Sequence, residues 1–443
     1  MPNGSGAAWL DSLINYERSR RLPYEELGLG RIRRLAEKLG DPQRALSVIH
    51  IAGSKGKGST ALLAEAVLRA AGERVGTFTS PHLERWTERF RIDGEEVSEE
   101  RLFAATEQVR PHVEALRAEG ITPSFFDAVT AAAFVLFREA GVDRAVLEVG
   151  LGGRLDSTNL VVPAVTCITS IELEHTEQLG DTLGAIAREK AGILKQGVPL
   201  VLGRVPREAE VEICERAKSL DVPVARLGRD FEVEILESGV VGQRLRFADG
   251  GLCCEAELPV LGAHQAGNAA LALACMRRAR VGDDASLARA ACEGLSRVAL
   301  PGRIELLGRK PWILVDGAHT AASARELARV LEQIPHRRTH LVLSISAGKD
   351  TTSLLEALLP AADVCTVTRA EPRRSLAPTE VARFVRETRA TLQPRIVPNP
   401  HMALRAALED LGPEDLLCVT GSVYLAGLAR AALADSDRSA HCS

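Results

Sequence analysis

The chain predicts an α/β protein of two domains, each built on a largely parallel sheet. Apolar β-type runs alternate with helical patterns over most of the 443 residues. Near the start, Val48–Ala52 runs through Gly53-Ser54-Lys55-Gly56-Lys57-Gly58-Ser59-Thr60 into the helical pattern Ala61–Ala66. Later, Val298-Ala299-Leu300-Pro301-Gly302-Arg303 interrupts the alternation, and a second strand–helix series starts beyond it. Length agrees, because 443 residues exceed what one hydrophobic core ordinarily organises.

In the first series, strands are expected at Ser47–Ala52, Arg74–Thr79, Arg144–Val149, Val165–Thr169 and Pro199–Leu202. β-Branched and apolar residues dominate these runs, as in strands covered on both faces. Helical periodicity places helices near 57–71, 99–119, 124–140, 181–194 and 206–219. Residues 230–258 alternate apolar and polar, with Gly242 and Asp249-Gly250-Gly251 as turns, and predict a small antiparallel patch at one edge. Helices resume near 265–280 and 284–297. The second series predicts strands at Trp312–Asp316, His340–Ile345, Asp363–Val367, Pro394–Val397 and Leu416–Thr420, with helices between. The domains are therefore expected at 1–298 and 303–443.

A net charge of −4 and an aromatic content of 4% leave neither a basic surface nor a stacking platform for nucleic acid. No apolar run approaches a membrane span, and the first residues show no basic n-region of a signal peptide. The nine cysteines form no C-x-x-C pair, which suits a reduced cytoplasm. No long exposed apolar helix asks for a partner, so a monomer is expected.

Chemistry concentrates where strands end. A strand, a glycine loop and a helix in succession cradle phosphates: glycines let N–H groups approach, the helix dipole attracts anions, and a lysine neutralises charge. Gly56, Lys57, Gly58 and Ser59 are the candidates, although Gly58 between Lys57 and Ser59 breaks the G-x-x-x-x-G-K-[ST] spacing. Glu148, before Gly150-Leu151-Gly152-Gly153, reads either as a Mg²⁺ ligand or as a buried strand-end glutamate. His175, beside Glu174 and Glu177, reads as a metal or phosphate group or as a hydrogen-bonded loop residue. Lys190 near a helix end reads equally as a cation on the dipole. Ser80 and His82 follow a strand, as do Asp316 and His319 in the second domain, with Arg303 in the linker. Five such clusters in two α/β domains imply a cleft holding a nucleotide and its substrates.

The chain resembles the folylpolyglutamate synthase/dihydrofolate synthase family of the Mur ligase superfamily. The likeness is carried by Ala52–Thr60, Ser80–Leu83 with Glu88-Arg89, Leu147–Asn159, His175-Thr176-Glu177, Arg188–Ile193, His264-Gln265 with Asn268, Pro301–Arg303, Asp316–His319 and Val419–Tyr424. It implies a P-loop-type ATPase domain that also binds pteroate, followed by a Rossmann-like glutamate-ligase domain. It further implies ATP, Mg²⁺, L-glutamate and dihydropteroate or a reduced folate as ligands. The expected reaction phosphorylates a carboxylate with ATP and lets the glutamate amine displace phosphate from the acyl phosphate.

By the same resemblance, Gly56–Ser59 hold phosphates, while Ser80, Glu148 and His175 hold Mg²⁺. Asn268, Arg303 and Asp316 then contact ATP. Ser124-Phe125-Phe126-Asp127 and Leu155-Asp156-Ser157 line the pteroate pocket, and His319 and Ser422 face glutamate. Lys57, His175, Lys190 and His319 form the catalytic set, with carbamylation of Lys190 and a K⁺ ion as further expectations. A carbamate makes sense there, because a bare ammonium repels Mg²⁺. The chain departs from the family at Ser54-Lys55 (usually Thr-Asn), Glu174 (usually Asp), Asp127 (usually Glu) and Thr320-Ala321 (usually Asn-Pro). Those departures keep two other readings in play: a Mur-type ligase for another carboxylic acid, and a non-catalytic ATP-binding protein.

Overall fold

The structure, a computed structural model, describes residues 9–10, 12–14 and 28–440, without the side chains of 434–440. The segment read as lacking a signal peptide lies largely outside the described residues.

The first sheet has eight strands: β1 (Ser47–Ala52), β2 (Val75–Phe78), β3 (Phe90–Ile92), β4 (Glu95–Glu96), β5 (Arg144–Glu148), β6 (Val165–Ile168), β7 (Leu200–Leu202) and β8 (Val224–Arg226). Their spatial order is β4-β3-β2-β5-β1-β6-β7-β8, parallel throughout except for β3 and β4. Five of these strands match expectation. The hairpin of β3 and β4 and the edge strand β8 were not foreseen, being two or three residues long and partly polar.

Pairing fixes which residues face which core. In β1, Ile49 and Ile51 join the helices Lys57–Ala70, His264–Arg278 and Asp284–Leu295 on one side. Val48 and Ala52 point to the other, where Gly30–Lys38, Glu99–Ala118, Phe125–Ala140, Leu183–Lys190 and Arg207–Ser219 pack. Period-two alternation within a strand buried on both faces produces these two apolar sides.

The antiparallel patch is real but is not an edge of the main sheet. Strands β9 (Glu232–Gly239), β10 (Gly242–Asp249) and β11 (Leu252–Leu258) form a separate sheet in the order β11-β10-β9. Its apolar face (Leu245, Phe247, Cys254, Ala256) covers the helices 264–278 and 284–295. The side chains seek that helical layer, so the sheet docks by its face and not by its ladder.

The second sheet contains β12 (Glu305–Arg309), β13 (Trp312–Val315), β14 (Thr339–Leu343), β15 (Val364–Val367), β16 (Arg395–Ile396) and β17 (Leu416–Thr420), in the order β12-β13-β17-β14-β15-β16. Only β12 runs antiparallel, and it was not foreseen. Leu341, Leu343 and Cys418 face one core, Val342, Leu417 and Val419 the other. No helix among the described residues is long and apolar enough to cross a membrane.

Candidate active site

At the centre of the sheet β1 lies between β5 and β6. The helix after β1 covers one face while the chain after β5 and β6 covers the other, which opens a crevice at the C-terminal end of β1. The glycine loop lies there. Gly53 (φ 148°) sits so close to β6 that a Cβ would come 1.9 Å from Thr169 Oγ1. Gly56 (φ 82°) presses against Asn268, where a Cβ would meet Oδ1 at 2.4 Å. Only glycine fits both positions. The helix Lys57–Ala70 starts at Gly56 with no side chain capping its first N–H groups, which leaves them available to an anion.

Three lysines converge on one carboxylate and one carbonyl. Lys57 Nζ and Lys190 Nζ each donate to the Gly53 carbonyl at 3.0 Å. Lys190 also donates to Glu174 Oε1 at 3.0 Å, and Lys55 Nζ lies 3.6 Å from Glu174 Oε2. Burial alone would raise the Glu174 carboxyl, but Lys190, Lys57, Lys55 and His175 outweigh it and pull it down to about 2. Burial pushes the Lys190 ammonium down to about 8, with Glu174 opposing. Three ammonium groups thus gather round Glu174, with Glu172 and Glu148 nearby, at the loop where a polyphosphate would lie.

Across the loop, Glu148 ends β5 and is buried, with Oε2 accepting the Ser80 N–H at 3.0 Å. Its carboxylate faces Gly58, 3.3 Å from where a Cβ would stand. Burial raises its pKa against the pull of Lys57, the Ser80 N–H, Arg303 and Arg89. Among the described residues no three His, Cys, Asp or Glu gather as a metal cage. Mg²⁺ does not ask for one, since it keeps its waters and takes one or two carboxylates beside phosphates. A buried glutamate facing a phosphate-type loop, held by the N–H of a serine, fits that demand.

His175 has φ 49° and a solvent-exposed side chain beside which neighbouring protein crowds. That crowding pushes it down to about 4 against the pull of Glu174, with Lys349, Lys57 and Lys190 adding to the depression. It therefore presents a neutral ring at neutral pH.

The second domain reaches in through the ends of β13 and β14. His319 Nδ1 is 2.8 Å from the Gly317 carbonyl, and its Nε2 lies 3.4 Å from Lys55 Nζ. Burial, with Lys55 and Lys349 nearby, pushes His319 down to about 3, so Nδ1–H donates to Gly317 and Nε2 accepts from Lys55. Asp316 is buried and holds the linker: Oδ2 accepts the Ile304 N–H at 2.8 Å and Oδ1 the Ala318 N–H at 2.7 Å. Arg303 lies alongside, where a Cβ on Gly317 would come 2.9 Å from its guanidinium. Asn268 anchors to Gln265 through Nδ2 at 2.8 Å, leaving Oδ1 against Gly56.

The two segments expected to line a pocket are joined to each other. Ser124 caps the helix Phe125–Ala140 in a reciprocal box with Asp127, and Ser157 Oγ donates to Asp127 Oδ1 at 2.7 Å. Asp156 spends Oδ2 on the N–H groups of Gly150 and Leu151, both at 3.0 Å, and so shapes the glycine loop after β5. Phe125 is buried against Trp86 (ring centroids 5.0 Å apart) and Arg89, while Phe126 packs beneath Gly150. Leu155 is partly exposed. Ser422 is buried in the second domain, where its Oγ accepts the Tyr424 N–H at 3.2 Å. That bond stays inside the second domain.

Sequence reading missed Lys349, and it took Lys55 only as a departure from the family, Glu174 only as a neighbour of His175 and Arg89 only as part of a motif. Gly348-Lys349-Asp350 follows β14 as another polar strand-end cluster and carried a usable signal. Arg89, buried over Trp86 and Phe125 with Nε donating to His82 Nδ1 at 3.0 Å, carried none beyond its motif.

Comparison with known proteins agrees with this geometry. Residues 51–276 match the Mur ligase middle domain, and residues 302–423 the Mur ligase glutamate ligase domain. The Bacillus subtilis dihydrofolate synthase/folylpolyglutamate synthase is 34% identical over 403 residues, covering 90% of this chain and 93% of that protein. The chain belongs to this Mur ligase family. The Haloferax volcanii relative, a probable bifunctional folylpolyglutamate synthase/dihydropteroate synthase, is 36% identical over 406 residues; they cover 91% of this chain but only 48% of that protein. This chain thus spans about half the length of that fused family member. Among solved family structures, a bifunctional folylpolyglutamate synthase/dihydrofolate synthase with Mn, AMPPNP and L-glutamate bound superposes with a TM-score of 0.82. It is 32% identical and covers 98% of both chains.

Proposed function

We propose that this chain is an ATP-dependent ligase that adds L-glutamate to dihydropteroate, to reduced folates or to both. One observation carries the reading. The uncapped helix start at Gly56 and the lysines Lys55, Lys57 and Lys190 face a cleft flanked by the buried Glu148 and by His319 of the other domain. ATP belongs at Gly56–Ser59, with Asn268, Arg303 and Asp316 toward its nucleoside end. Mg²⁺ belongs between Ser80, Glu148 and His175, where it would neutralise charge building on the transferred phosphoryl group.

The residues position two reactants and exclude water. Lys57 balances phosphate charge, Glu148 presents its oxygens from a dry floor, and His319 arrives with the second domain on the glutamate side together with Ser422. Ser124–Asp127 and Leu155–Ser157 shape the pteroate side through Phe126 and Leu155, while the buried members hold the wall. The carboxylate of the acid accepts the terminal phosphoryl group, the glutamate amine attacks the acyl phosphate, and phosphate departs. Such a reaction draws its rate from orientation and electrostatic preorganisation.

Lys190 is the carbamylation candidate in this reading, with K⁺ a further ion. Its amine is deeply buried, and a carbamate beside Glu174 would need a cation between the two anions. The domains divide at 298–303, the enzyme is cytoplasmic and monomeric, and its partners are small molecules and not nucleic acid or membrane.

The test is release of ADP and phosphate from the purified chain with Mg²⁺, L-glutamate and a panel of carboxylic acids. The reading expects release that needs dihydropteroate or a reduced folate and glutamate together. Activity confined to a non-pterin acid would favour a different Mur-type acceptor, which the one-methylene shortening at Asp127 motivates. ATP binding without turnover on any acid would indicate a non-catalytic relative.

A further inference from the structure

We propose that Lys55 is a positioning residue that fixes the second domain in register over the phosphate loop, by sharing its ammonium between Glu174 of the first domain and His319 of the second. The inference rests on the ligase reading only for its catalytic consequence.

The backbone of Lys55 is held on both sides. Its N–H donates to Ser170 Oγ at 2.9 Å, and its carbonyl accepts from the hydroxyls of Thr169 and Ser170. The main chain at Lys55 therefore cannot shift without β6 and the loop that follows it, so a displacement of the ammonium has to come from the side chain or from its partners. Those partners belong to different domains: Glu174 Oε2 at 3.6 Å and His319 Nε2 at 3.4 Å.

His319 is equally constrained. It follows Asp316, whose two oxygens hold Ile304 and Ala318, and its own Nδ1–H is committed to the Gly317 carbonyl. Its lone pair on Nε2 consequently has one orientation, pointed at the phosphate loop. A flexible lysine gripped at the root and at the tip makes a bridge of defined length. A shorter neutral residue such as Asn, usual here in the family, cannot span it. Burial lowers the pKa of Lys55, while Glu174 and Glu172 raise it, so Glu174 both holds the ammonium and helps to keep it charged.

The electrostatics explain why the bridge must be specific. Lys57 and Lys190 already crowd Glu174 and the Gly53 carbonyl. A third cation gains there from Glu172 beside Glu174, and His319 adds an acceptor from the other domain. The Lys349 charge, close enough to depress both Lys55 and His319, opposes the arrangement and makes the His319 acceptor the more necessary.

The experiment compares wild type, Lys55→Asn and Lys55→Arg. Hydrogen–deuterium exchange of Gly317–Thr320 is followed in nucleotide-free protein, AMPPNP affinity by calorimetry, and kcat and KM for ATP in the ligase assay. Lys55→Asn is expected to speed exchange at 317–320 and lower kcat about tenfold or more, with a clearly smaller loss of AMPPNP affinity because Lys57 and Lys190 remain. Lys55→Arg, which keeps the cation, should recover most of both losses. Unchanged exchange and kcat in Lys55→Asn would overturn the proposal. So would a loss of AMPPNP affinity with exchange intact, because Lys55 would then be a phosphate ligand only. Wild type that bound no AMPPNP would sink the ligase reading, and the exchange comparison would still decide the bridge.

Discussion

Ser157 donates its hydroxyl to Asp127 across 2.7 Å, joining the loop after β5 to the first turn of the helix Phe125–Ala140. Asp127 Oδ2 meanwhile accepts both the N–H and the hydroxyl of Ser124, each at 2.8 Å. A single buried carboxylate therefore holds a helix start, a strand-end loop and, through Arg31 at 3.4 Å, a neighbouring helix. Asp127→Ala strands those donors, and is expected to destabilise the first domain by about 2 kcal/mol or more. Urea unfolding followed by far-UV circular dichroism measures it, and an unchanged midpoint would contradict the role. Asp127→Glu, matching the family's usual residue, tests the pocket instead: it should alter KM for the acid more than stability.

Glu148→Gln preserves the size and an oxygen for the Ser80 N–H while removing the charge that faces Gly58. If that charge acts chiefly when Mg²⁺ and developing phosphoryl charge are present, kcat should fall about a hundredfold while ATP affinity changes only severalfold. Rapid-quench turnover and calorimetric titration separate the two quantities. Equal losses would move Glu148 from metal ligand to structural support.

Gly56→Ala tests the close approach beneath the phosphate loop. The φ of 82° strains any L-residue, and the new Cβ would stand 2.4 Å from Asn268 Oδ1. Either the loop or Asn268 must move, so nucleotide affinity should drop by about tenfold or more at a stability cost of about 1–3 kcal/mol. Asn268→Ala in the same background should restore stability in part, since it removes the obstructing amide. Failure of that rescue would show that the backbone angle alone sets the cost.

The strand ends that position these groups were legible in the sequence because each is a local word: a run of apolar residues, then glycine or a polar cluster. Ile49 and Ile51 facing one core, with Val48 and Ala52 facing the other, follow from the same run. Glu95-Glu96 could not announce a strand, since β4 pairs by its backbone and buries little. The docking of β9–β11 depends on a helical layer that ends at Leu295, beyond any window over 230–258. At the site, Lys55 stood in the sequence only as a departure from the family. Its meaning comes from His319, separated by 264 positions and brought near only by the way two domains meet. The Ser124-x-x-Asp127 box was visible locally, yet Ser157 as its third member depends on β5 placing its loop over the helix start.

His50 gives a pH dependence. It is buried on β1 with Nε2 2.9 Å from Thr158 Oγ1, and burial, with Lys195 nearby, pushes it down to about 3 from an ordinary 6.5. Between those values the unfolded chain binds a proton that the folded chain refuses. Stability therefore rises with pH through that window and is complete above it, with about 2 kcal/mol gained between pH 5 and 7 from this group. His50→Gln should flatten the urea midpoint against pH by about one proton's worth of slope. A slope identical to wild type would mean that His50 is not held neutral by its burial.

Arg430 joins the two domains at a second place. Its Nε donates to Glu305 Oε2 at 2.7 Å and a terminal nitrogen to Glu84 Oε1 at 3.1 Å, so the last helix grips both the start of β12 and the loop beyond Ser80. Gly427 lets that helix approach, as a Cβ there would strike the Leu83 carbonyl at 2.3 Å. All three charged side chains are partly exposed, which limits the pair energies to about 1 kcal/mol or less each. Arg430→Gln should consequently leave the melting of each domain almost unchanged. The loop it grips also carries Ser80, whose N–H orients Glu148. A loosened interface should therefore appear as a fall in kcat of about threefold to tenfold, strongest at low salt where the ion pairs count most. Raising ionic strength should shrink the difference between variant and wild type, by weakening the wild-type link. A rate deficit indifferent to salt would place the effect of Arg430 in packing and not in charge.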